Sequence, residues 1–320
     1  MFFQRGFGGY ALGALAALAM LLAASTSRAD TAVSSCMTLS SPGNYFLTKN
    51  LTSAGTCIVI GAEGVSFDMQ GHTITGNGSG DGISDGGSGF ESMAIANGKI
   101  RNFDVGIDLG NSCCLVIRNV DSSKNTHTGI IVGNCCGALD GITTNNNGTM
   151  GILAAGCCYS LNNIQANNNG GGGGIVTTDC CTTIANSTAS GNTGAGVFED
   201  GCCSFLVSSS VKNSGADGVD MNDCCNFVVG STVTNSVGKG VSLIESDNLI
   251  TGTEVSGSGG DGIFMDSTEN QITSSKSTKN GGFGANIGCP GAILGLTAKN
   301  NTSGSLNTTG GTCTQLNNTL

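Results

Sequence analysis

Hydrophobic positions repeat along this chain with a fixed period. A Gly followed by Ile, Val or Ala recurs in steps of 22 or 23 residues, at Gly106, Gly129, Gly151, Gly174, Gly196, Gly218, Gly240, Gly262 and Gly284. Apolar side chains follow each Gly by one, three, ten and fifteen residues; after Gly218 these are Val219, Met221, Val228 and Val233. Short alternating segments of this kind, broken by Gly, Asn and Ser, predict strands and turns rather than helices. The repeat predicts a solenoid.

A unit of 22 residues with three short strands is the size of one coil of a parallel β-helix. Each strand then pairs with its equivalent in the next coil, about 4.8 Å away. The predicted fold is therefore all-β, a single-stranded right-handed parallel β-helix with about nine 22-residue coils. Residues 30–76 are expected to form an N-terminal cap and first coil, residues 77–298 the repeats, and residues 299–320 a C-terminal cap.

Residues 1–29 have the pattern of a secretory signal peptide. Arg5 precedes an apolar run over residues 11–24, and small residues lead to Ala29. The alternative is a membrane anchor, but a membrane span needs about 20 apolar residues. We expect cleavage before Asp30, export to the periplasm or the extracellular space, and no membrane span in the mature protein. Disulfides can form in such compartments.

Composition narrows the possible partners. The chain has 320 residues, with 12 Lys and Arg against 22 Asp and Glu, and therefore a net charge of -10. Proteins that bind nucleic acid usually carry a basic patch, so no nucleic acid partner is predicted. With 38% hydrophobic residues the chain can bury a core, which argues against disorder. The sequence does not predict a cofactor or an oligomeric state.

Segments near the N-terminus carry a resemblance to a known family. They are SPGNYFLT at 41–48, CIVI at 57–60 and VSFDMQGHTITG at 65–76, and the similarity continues through the repeats to about residue 298. In these segments the chain resembles secreted right-handed parallel β-helix repeat proteins, which have the pectin-lyase-like fold. That family contains pectate lyases, polygalacturonases, alginate epimerases, adhesins and a periplasmic protein associated with nitrous oxide reductase maturation. The resemblance therefore implies a fold, and the function has to come from a site.

Six Cys-Cys pairs recur at nearly the same place in six successive coils, and we call them the cysteine ladder. They are Cys113-Cys114, Cys135-Cys136, Cys157-Cys158, Cys180-Cys181, Cys202-Cys203 and Cys224-Cys225. The pairs fall between predicted inward positions three and ten residues after the Gly, so they should stack along one bend near the surface.

Three chemical states are open to the ladder. A disulfide between coils spans about 4.8 Å, within the usual Cα range. A disulfide within a pair spans only about 3.8 Å and would be strained. Free thiolates would bind a soft ion such as copper or zinc, although the usual ligand spacings are missing. We expect disulfides because of the compartment and predict no metal, and the sequence does not decide between the two disulfide patterns.

The remaining four cysteines bracket the two ends of the chain. Cys36 and Cys57 flank the first extended segment, and Cys289 and Cys313 flank the last. We expect each bracket to close a terminal loop, since a solenoid must cover its exposed end coils.

The catalytic patterns of the related enzymes are incomplete in this chain. Pectate lyases resemble one another in an acidic calcium cluster beside an Arg base, and the repeats contain only Arg101 and Arg118. Asp104 and Asp108 lie near Arg101 in sequence, but charged residues at coil corners are usually solvated. The Gly-His-Gly and Arg-Ile-Lys patterns of polygalacturonases and the Asp-Pro-His-Asp of alginate epimerases are absent. No catalytic residue is predicted.

Acidic and aromatic side chains give weaker signals. The acidic residues expected along the ladder are Asp179, Glu199, Asp200, Asp217, Asp220, Asp223 and Glu245. Glu199 occupies a predicted inward position, so that either the register slips or a buried carboxyl has a raised pKa. The aromatic residues look scattered, and they include Phe198, Phe205, Phe227 and Phe264.

The function predicted from these features is that of an exported structural or binding protein, for which a surface polysaccharide is one conceivable partner. A carbohydrate-active lyase, hydrolase or epimerase is the enzyme alternative. A soft-metal protein that binds copper or zinc through the cysteine ladder is the other alternative.

Overall fold

Two parallel sheets make up the chain in a computed structural model, which describes residues 30–178 and 180–320. Sheet I has thirteen strands: Met37–Leu39, Ile58–Ile60, Asp81–Ser84, Val105–Leu109, Ile130–Gly133, Met150–Ala155, Gly173–Thr178, Val197–Asp200, Val219–Asn222, Val241–Leu243, Ile263–Met265, Phe283–Gly288 and Gly304–Thr309. The predicted signal peptide and Asp179 lie outside the described residues. Within the described ranges, no helix is long and apolar enough to cross a bilayer.

Sheet II has twenty-two strands, up to two from each coil. They are Thr31–Val33, Gly43–Leu47, Leu51–Thr52, Val65–Asp68, Thr73–Thr75, Glu91–Arg101, Cys113–Ser122, Gly137–Thr143, Tyr159–Asn167, Thr183–Ala185, Thr188–Ser190, Phe205–Val207, Ser210–Lys212, Phe227–Val229, Thr232–Thr234, Leu249–Thr251, Glu254–Ser256, Gln271–Thr273, Lys276–Thr278, Ala292–Leu294, Thr297–Lys299 and Thr314–Leu316. Each strand pairs in parallel with its equivalent one coil away, which confirms the predicted all-β parallel β-helix.

The predicted inward columns form the core. Val197, Val219, Val241 and Ile263 are consecutive register partners in sheet I. Each is at most 1% exposed. Burying one such side chain is worth about 1.5–3 kcal/mol, so the repeated apolar columns supply most of the stabilisation of each coil.

The prediction of about nine coils was too low, because sheet I has thirteen strands. A Gly followed by Ile, Val or Ala marks ten of them: the nine predicted strands and Asp81–Ser84, where Gly82-Ile83 is in register with Gly106-Ile107. The three others are Met37–Leu39, Ile58–Ile60 and Gly304–Thr309. These outer strands pair in the same register but replace the signature with other sequences. Backbone hydrogen bonding sets the register, so a coil can form without the signature.

Buried Asn side chains hold one bend of the solenoid together. The amide oxygen of Asn248 accepts the Asn226 N–H at 2.7 Å, and that of Asn270 accepts the Asn248 N–H at 2.8 Å. Asn248 also donates from Nδ2 to the carbonyl oxygens of Ile244 and Glu245. All three Asn side chains are buried. They supply partners for turn backbone groups that would otherwise be buried without hydrogen bonds.

Disulfides lie at both ends of the helix. One joins Cys36 to Cys57 across 21 residues of sequence, and the other joins Cys289 to Cys313 across 24. Cys57, Cys289 and Cys313 are buried against the core. Each bond therefore ties an end coil to its neighbour.

Candidate functional site

The cysteine ladder lies along the bend that follows the strands of sheet I. Its side chains are exposed or half-exposed. The second cysteine has a positive φ in five of the six pairs, namely Cys114, Cys158, Cys181, Cys203 and Cys225. The same column continues without cysteine at Asp247 and Glu269, which also have positive φ. The bend is thus a regular feature of the fold, and cysteine is a local addition to it.

The sulfur atoms of neighbouring coils are close together. A disulfide joins Cys113 to Cys135, with 5.1 Å between the Cα atoms. The Sγ atoms of Cys114 and Cys136 are 3.7 Å apart. The Cys113, Cys114 and Cys135 sulfurs lie within 4.8 Å of one another, close enough to share a metal ion, but two of them are bonded to each other. The hydrogen bond to Cys136 raises the pKa of Cys114, so a thiol there stays protonated at neutral pH.

The outer face of sheet I brings together residues that looked unrelated in the sequence. The column two residues after the repeat Gly contains Asp108, Ile131, Leu153, Val176, Phe198, Asp220, Ser242, Phe264 and Asn286. Phe198 and Phe264 therefore share one outward column, separated by two coils. The signal was present in the repeat, because the position two residues after each Gly alternates with the inward positions one and three residues after it. We call this surface the outer face of sheet I.

Lys239 lies over Phe264 on this face, and Asp220 lies two coils away in the same column. The Lys239 ammonium lies 3.7 Å from the centroid of the Phe264 ring and 3.4 Å from the Ser242 hydroxyl oxygen. Burial, followed by the charge of Asp217, raises the pKa of Asp220, and Lys239 opposes this effect. An ammonium over an aromatic face is favourable, and it fixes the position of both side chains.

Asp261 extends this group by one coil. Its carboxylate accepts the Phe283 N–H at 2.6 Å and the Asn286 amide at 2.9 Å. The region therefore combines an apolar ring, one cation, carboxylates and an amide on a rigid sheet. Ligand-binding sites combine apolar or aromatic groups with a few placed polar groups, and this surface offers both kinds.

A second acidic group lies at the N-terminal end of the same sheet. Burial, followed by the charges of Asp108 and Asp104, raises the pKa of Asp81. Asp104 is hydrogen bonded to His127, which lowers the pKa of Asp104. The Arg101 guanidinium instead pairs with Asp121 at 2.5 Å. Arg101 therefore pairs with Asp121, and Asp104 pairs with His127. This arrangement differs from an acidic cluster beside an Arg base.

Sheet II offers two other surface features. The Phe205 and Phe227 rings stack in parallel, with their centroids 4.7 Å apart. An open groove of about 470 Å³ also lies at the bend of this sheet; polar residues such as Asn97, Asn119 and Gln165 line it together with glycines, Val120 and Ile142. The groove lining contains no aromatic ring. The outer face of sheet I therefore has the more varied set of binding groups.

Glu199 resolves the ambiguity that the sequence left open. It pairs in register with Thr177 and Met221, so the strand does not slip. Its side chain is fully buried, and Oε1 accepts a hydrogen bond from the Ser204 hydroxyl at 2.8 Å. Oε2 has no hydrogen-bond partner. Burial raises the pKa of Glu199 to about 8, so the carboxyl is mainly protonated at neutral pH.

Comparison with solved structures shows the same fold in polysaccharide-acting proteins. The A-module of the mannuronan C-5 epimerase AlgE4 from Azotobacter vinelandii has a TM-score of 0.63 and 12% identity, over 85% of this chain and 91% of that one. The catalytic domain of a GH87 α-1,3-glucanase in complex with nigerose has a TM-score of 0.56 and 11% identity, over 91% of this chain and 63% of that one. The periplasmic alginate epimerase AlgG has a TM-score of 0.53 and 12% identity, over 88% and 77%.

At these identities the similarity to solved structures demonstrates the fold alone. Among curated proteins, none matches this chain. The family model described as "Right handed beta helix region" matches residues 105–245 and residues 173–320, which together make up more than half of the chain. The chain belongs to the right-handed β-helix family.

Proposed function

We propose that this protein is exported through the signal peptide at residues 1–29 and binds a neutral polysaccharide along the outer face of sheet I. The observation that carries the proposal is the group around Phe264, where an aromatic ring, the Lys239 ammonium and the Asp220 carboxyl share one surface. An aromatic ring offers an apolar surface to the C–H face of a sugar, and the polar groups can bind its hydroxyls. The polysaccharide-acting proteins with this fold support the ligand class.

The charge of the face favours a neutral polymer over a polyuronate. Asp81, Asp108, Asp217, Asp220 and Asp261 contribute carboxyls to sheet I or its edges. The Lys239 ammonium lies on the same face, where it contacts the Phe264 ring. Carboxylates of a polyuronate would be repelled here, because like charges that face each other in an interface oppose binding. A glucan has no charge to be repelled.

Binding can be measured by affinity electrophoresis and calorimetry with soluble α-glucans, β-glucans and alginate. We expect a neutral glucan to bind, and Phe264→Ala to weaken binding about tenfold, or ~1.4 kcal/mol. Phe227→Ala is the matched control, since it removes an aromatic ring from sheet II and leaves sheet I unchanged. Preference for alginate, or equal affinity of the Phe264 and Phe227 variants, would contradict the proposal.

A glycoside hydrolase is the second candidate, and the raised pKa of Asp220 beside Asp217 favours it. A carboxyl with a raised pKa is a candidate general acid, and a second carboxylate can assist water or stabilise charge. This hypothesis predicts release of reducing ends from the bound glucan, abolished by Asp220→Asn. Binding without release of reducing ends would support a binding protein.

A further inference from the structure

We propose that the cysteine ladder forms six disulfides between coils. They join its six coils as three blocks, each made of two neighbouring coils. The first block contains Cys113–Cys135 and Cys114–Cys136, the second Cys157–Cys180 and Cys158–Cys181, and the third Cys202–Cys224 and Cys203–Cys225. Glycan binding on sheet I is a separate matter and does not depend on this pattern.

Backbone pairing aligns each cysteine with its equivalent in the next coil. The Cys158 N–H donates to the Cys180 carbonyl oxygen at 3.0 Å, and the Cys181 N–H donates to that of Cys202 at 2.9 Å. In a parallel ladder this arrangement makes the second cysteines of successive pairs register partners. The Cα separation of 5.1 Å between Cys113 and Cys135 lies within the usual range of about 4.4–6.8 Å for a disulfide. Two cysteines in the same pair are only about 3.8 Å apart at Cα.

Sulfur contacts occur within a pair, as at Cys113 and Cys114 (3.5 Å), and also between coils, and those between coils indicate which coils are joined. The first block has the Cys113–Cys135 disulfide and the Cys114–Cys136 contact of 3.7 Å. In the second block the Cys157 and Cys180 sulfurs are 3.8 Å apart.

The number of cysteines in each coil then determines how the remaining four coils are joined. Once the first two coils have used their four cysteines, the third coil must bond to the fourth. The fifth coil is then left to bond to the sixth. Because six coils bear cysteines, complete pairing leaves no thiol over.

The backbone at the second cysteine indicates that cysteine is there for its side chain. Asn and Asp are the non-glycine residues that most readily adopt a positive φ in turns, because other side chains crowd the backbone. Later coils of this protein satisfy the same bend with Asp247 and Glu269. Cysteine gives no conformational advantage there, so its recurrence at five of these positions points to a role for the sulfur, and a bond to the next coil is such a role.

Each disulfide forms by thiol–disulfide exchange with an exported dithiol–disulfide oxidoreductase or a small disulfide. One ladder thiol loses its proton and attacks the donor disulfide, and the first donor sulfur leaves as a thiol. The second ladder thiol loses its proton and attacks the mixed disulfide, and the second donor sulfur leaves as a thiol. Two ladder thiols are oxidised by two electrons, and the donor is reduced by the same two electrons. Two protons pass to the donor thiols.

The positions of aspartate allow a direct test. A protease that cleaves before Asp separates every successive Cys-Cys pair, at Asp121, Asp140, Asp179, Asp200 and Asp217. The full-length exported protein is trapped with N-ethylmaleimide, digested without reduction and analysed by mass spectrometry. We expect three cross-linked peptide pairs, one for each block, and no alkylated ladder cysteine. Fragmentation of each cross-linked pair should assign the bonds to equivalent positions in the two coils.

A variant at the last pair distinguishes this pattern from bonds within pairs. Cys224→Ser with Cys225→Asp copies Ser246 and Asp247, the residues of the next coil, so the bend is compatible with the change. We expect Cys202 and Cys203 to become alkylated while the other two blocks stay cross-linked. Four results would each overturn the proposal. In the wild type they are ladder peptides without cross-links, cross-links between Cys136 and Cys157 or Cys158, and twelve alkylated thiols with bound copper or zinc. In the variant it is continued protection of Cys202 and Cys203 from alkylation.

Discussion

Glu199 should make the stability of this protein depend on pH in a specific direction. Its folded-state pKa is about 8, against an ordinary value of 4.5, because the side chain is fully buried. The folded protein therefore holds this proton more tightly than the unfolded chain does. The stabilising contribution is complete below pH 4.5 and is lost as the pH rises from 4.5 through about 8.

The size of the effect follows from the two pKa values. One pKa unit corresponds to about 1.4 kcal/mol, so the loss reaches ~3 kcal/mol at pH 7 and ~5 kcal/mol well above pH 8. Glu199→Gln keeps the shape of the side chain but cannot ionise. We expect the variant to gain stability relative to the wild type as the pH rises over this interval.

Denaturant unfolding at a series of pH values between 4 and 9 measures this difference. Glu254→Gln is the matched control, because the Glu254 side chain is 49% exposed and pairs with Lys276 at the surface. The difference between wild type and the Glu254 variant should stay within about 1 kcal/mol at every pH. A flat difference for Glu199→Gln between pH 5 and pH 8 would refute a buried, protonated Glu199.

Four further changes test the fold and its ends by the free energy of unfolding. Asn248→Ala removes the acceptor of the Asn226 N–H and two donated bonds, and should cost about 2–3 kcal/mol; a loss below 0.5 kcal/mol would argue against a buried Asn ladder. Gly240→Ala would place a Cβ 2.5 Å from the Gly262 carbonyl oxygen, and should cost about 1–3 kcal/mol. The double change Cys36→Ser/Cys57→Ser opens a closed loop of about 21 residues and should cost about 3 kcal/mol, whereas equal stability would show that the N-terminal bond contributes nothing. Lys276→Ala removes only a surface pair and should change stability by less than about 1 kcal/mol.

The sequence by itself determined the fold class and most of the core. The inward columns, such as Val219 and Met221, follow from a local rule, because strand side chains alternate and a fixed period makes equivalent residues stack. The same rule marked Glu199 as an exception. It could not decide between slippage and burial, because that depends on whether the neighbouring coils hold the strand in register.

The outer strands were missed for a related reason. The signature Gly marks coils that leave no room for a Cβ against the next coil, as at Gly240, whereas pairing with a neighbouring coil is sufficient to form a strand. Ile58–Ile60 and Gly304–Thr309 therefore join sheet I without the signature. A repeated motif in the sequence therefore reveals the coils that contain it. It misses coils that lack the motif and join the sheet only through hydrogen bonds to a neighbouring coil.

Only the tertiary structure decided which outward side chains meet. Phe264 and Lys239 are 25 residues apart in sequence, and the contact between the ring and the ammonium depends on the stacking of two coils and on the direction of a long side chain. The cysteine ladder shows the same division. The sequence placed its twelve cysteines in one bend, and the sulfur contact between Cys114 and Cys136 indicates bonding along the solenoid axis. The physical reason is that alternation fixes the face on which a residue lies, whereas a contact between coils depends on register and side-chain rotamers that no local pattern contains.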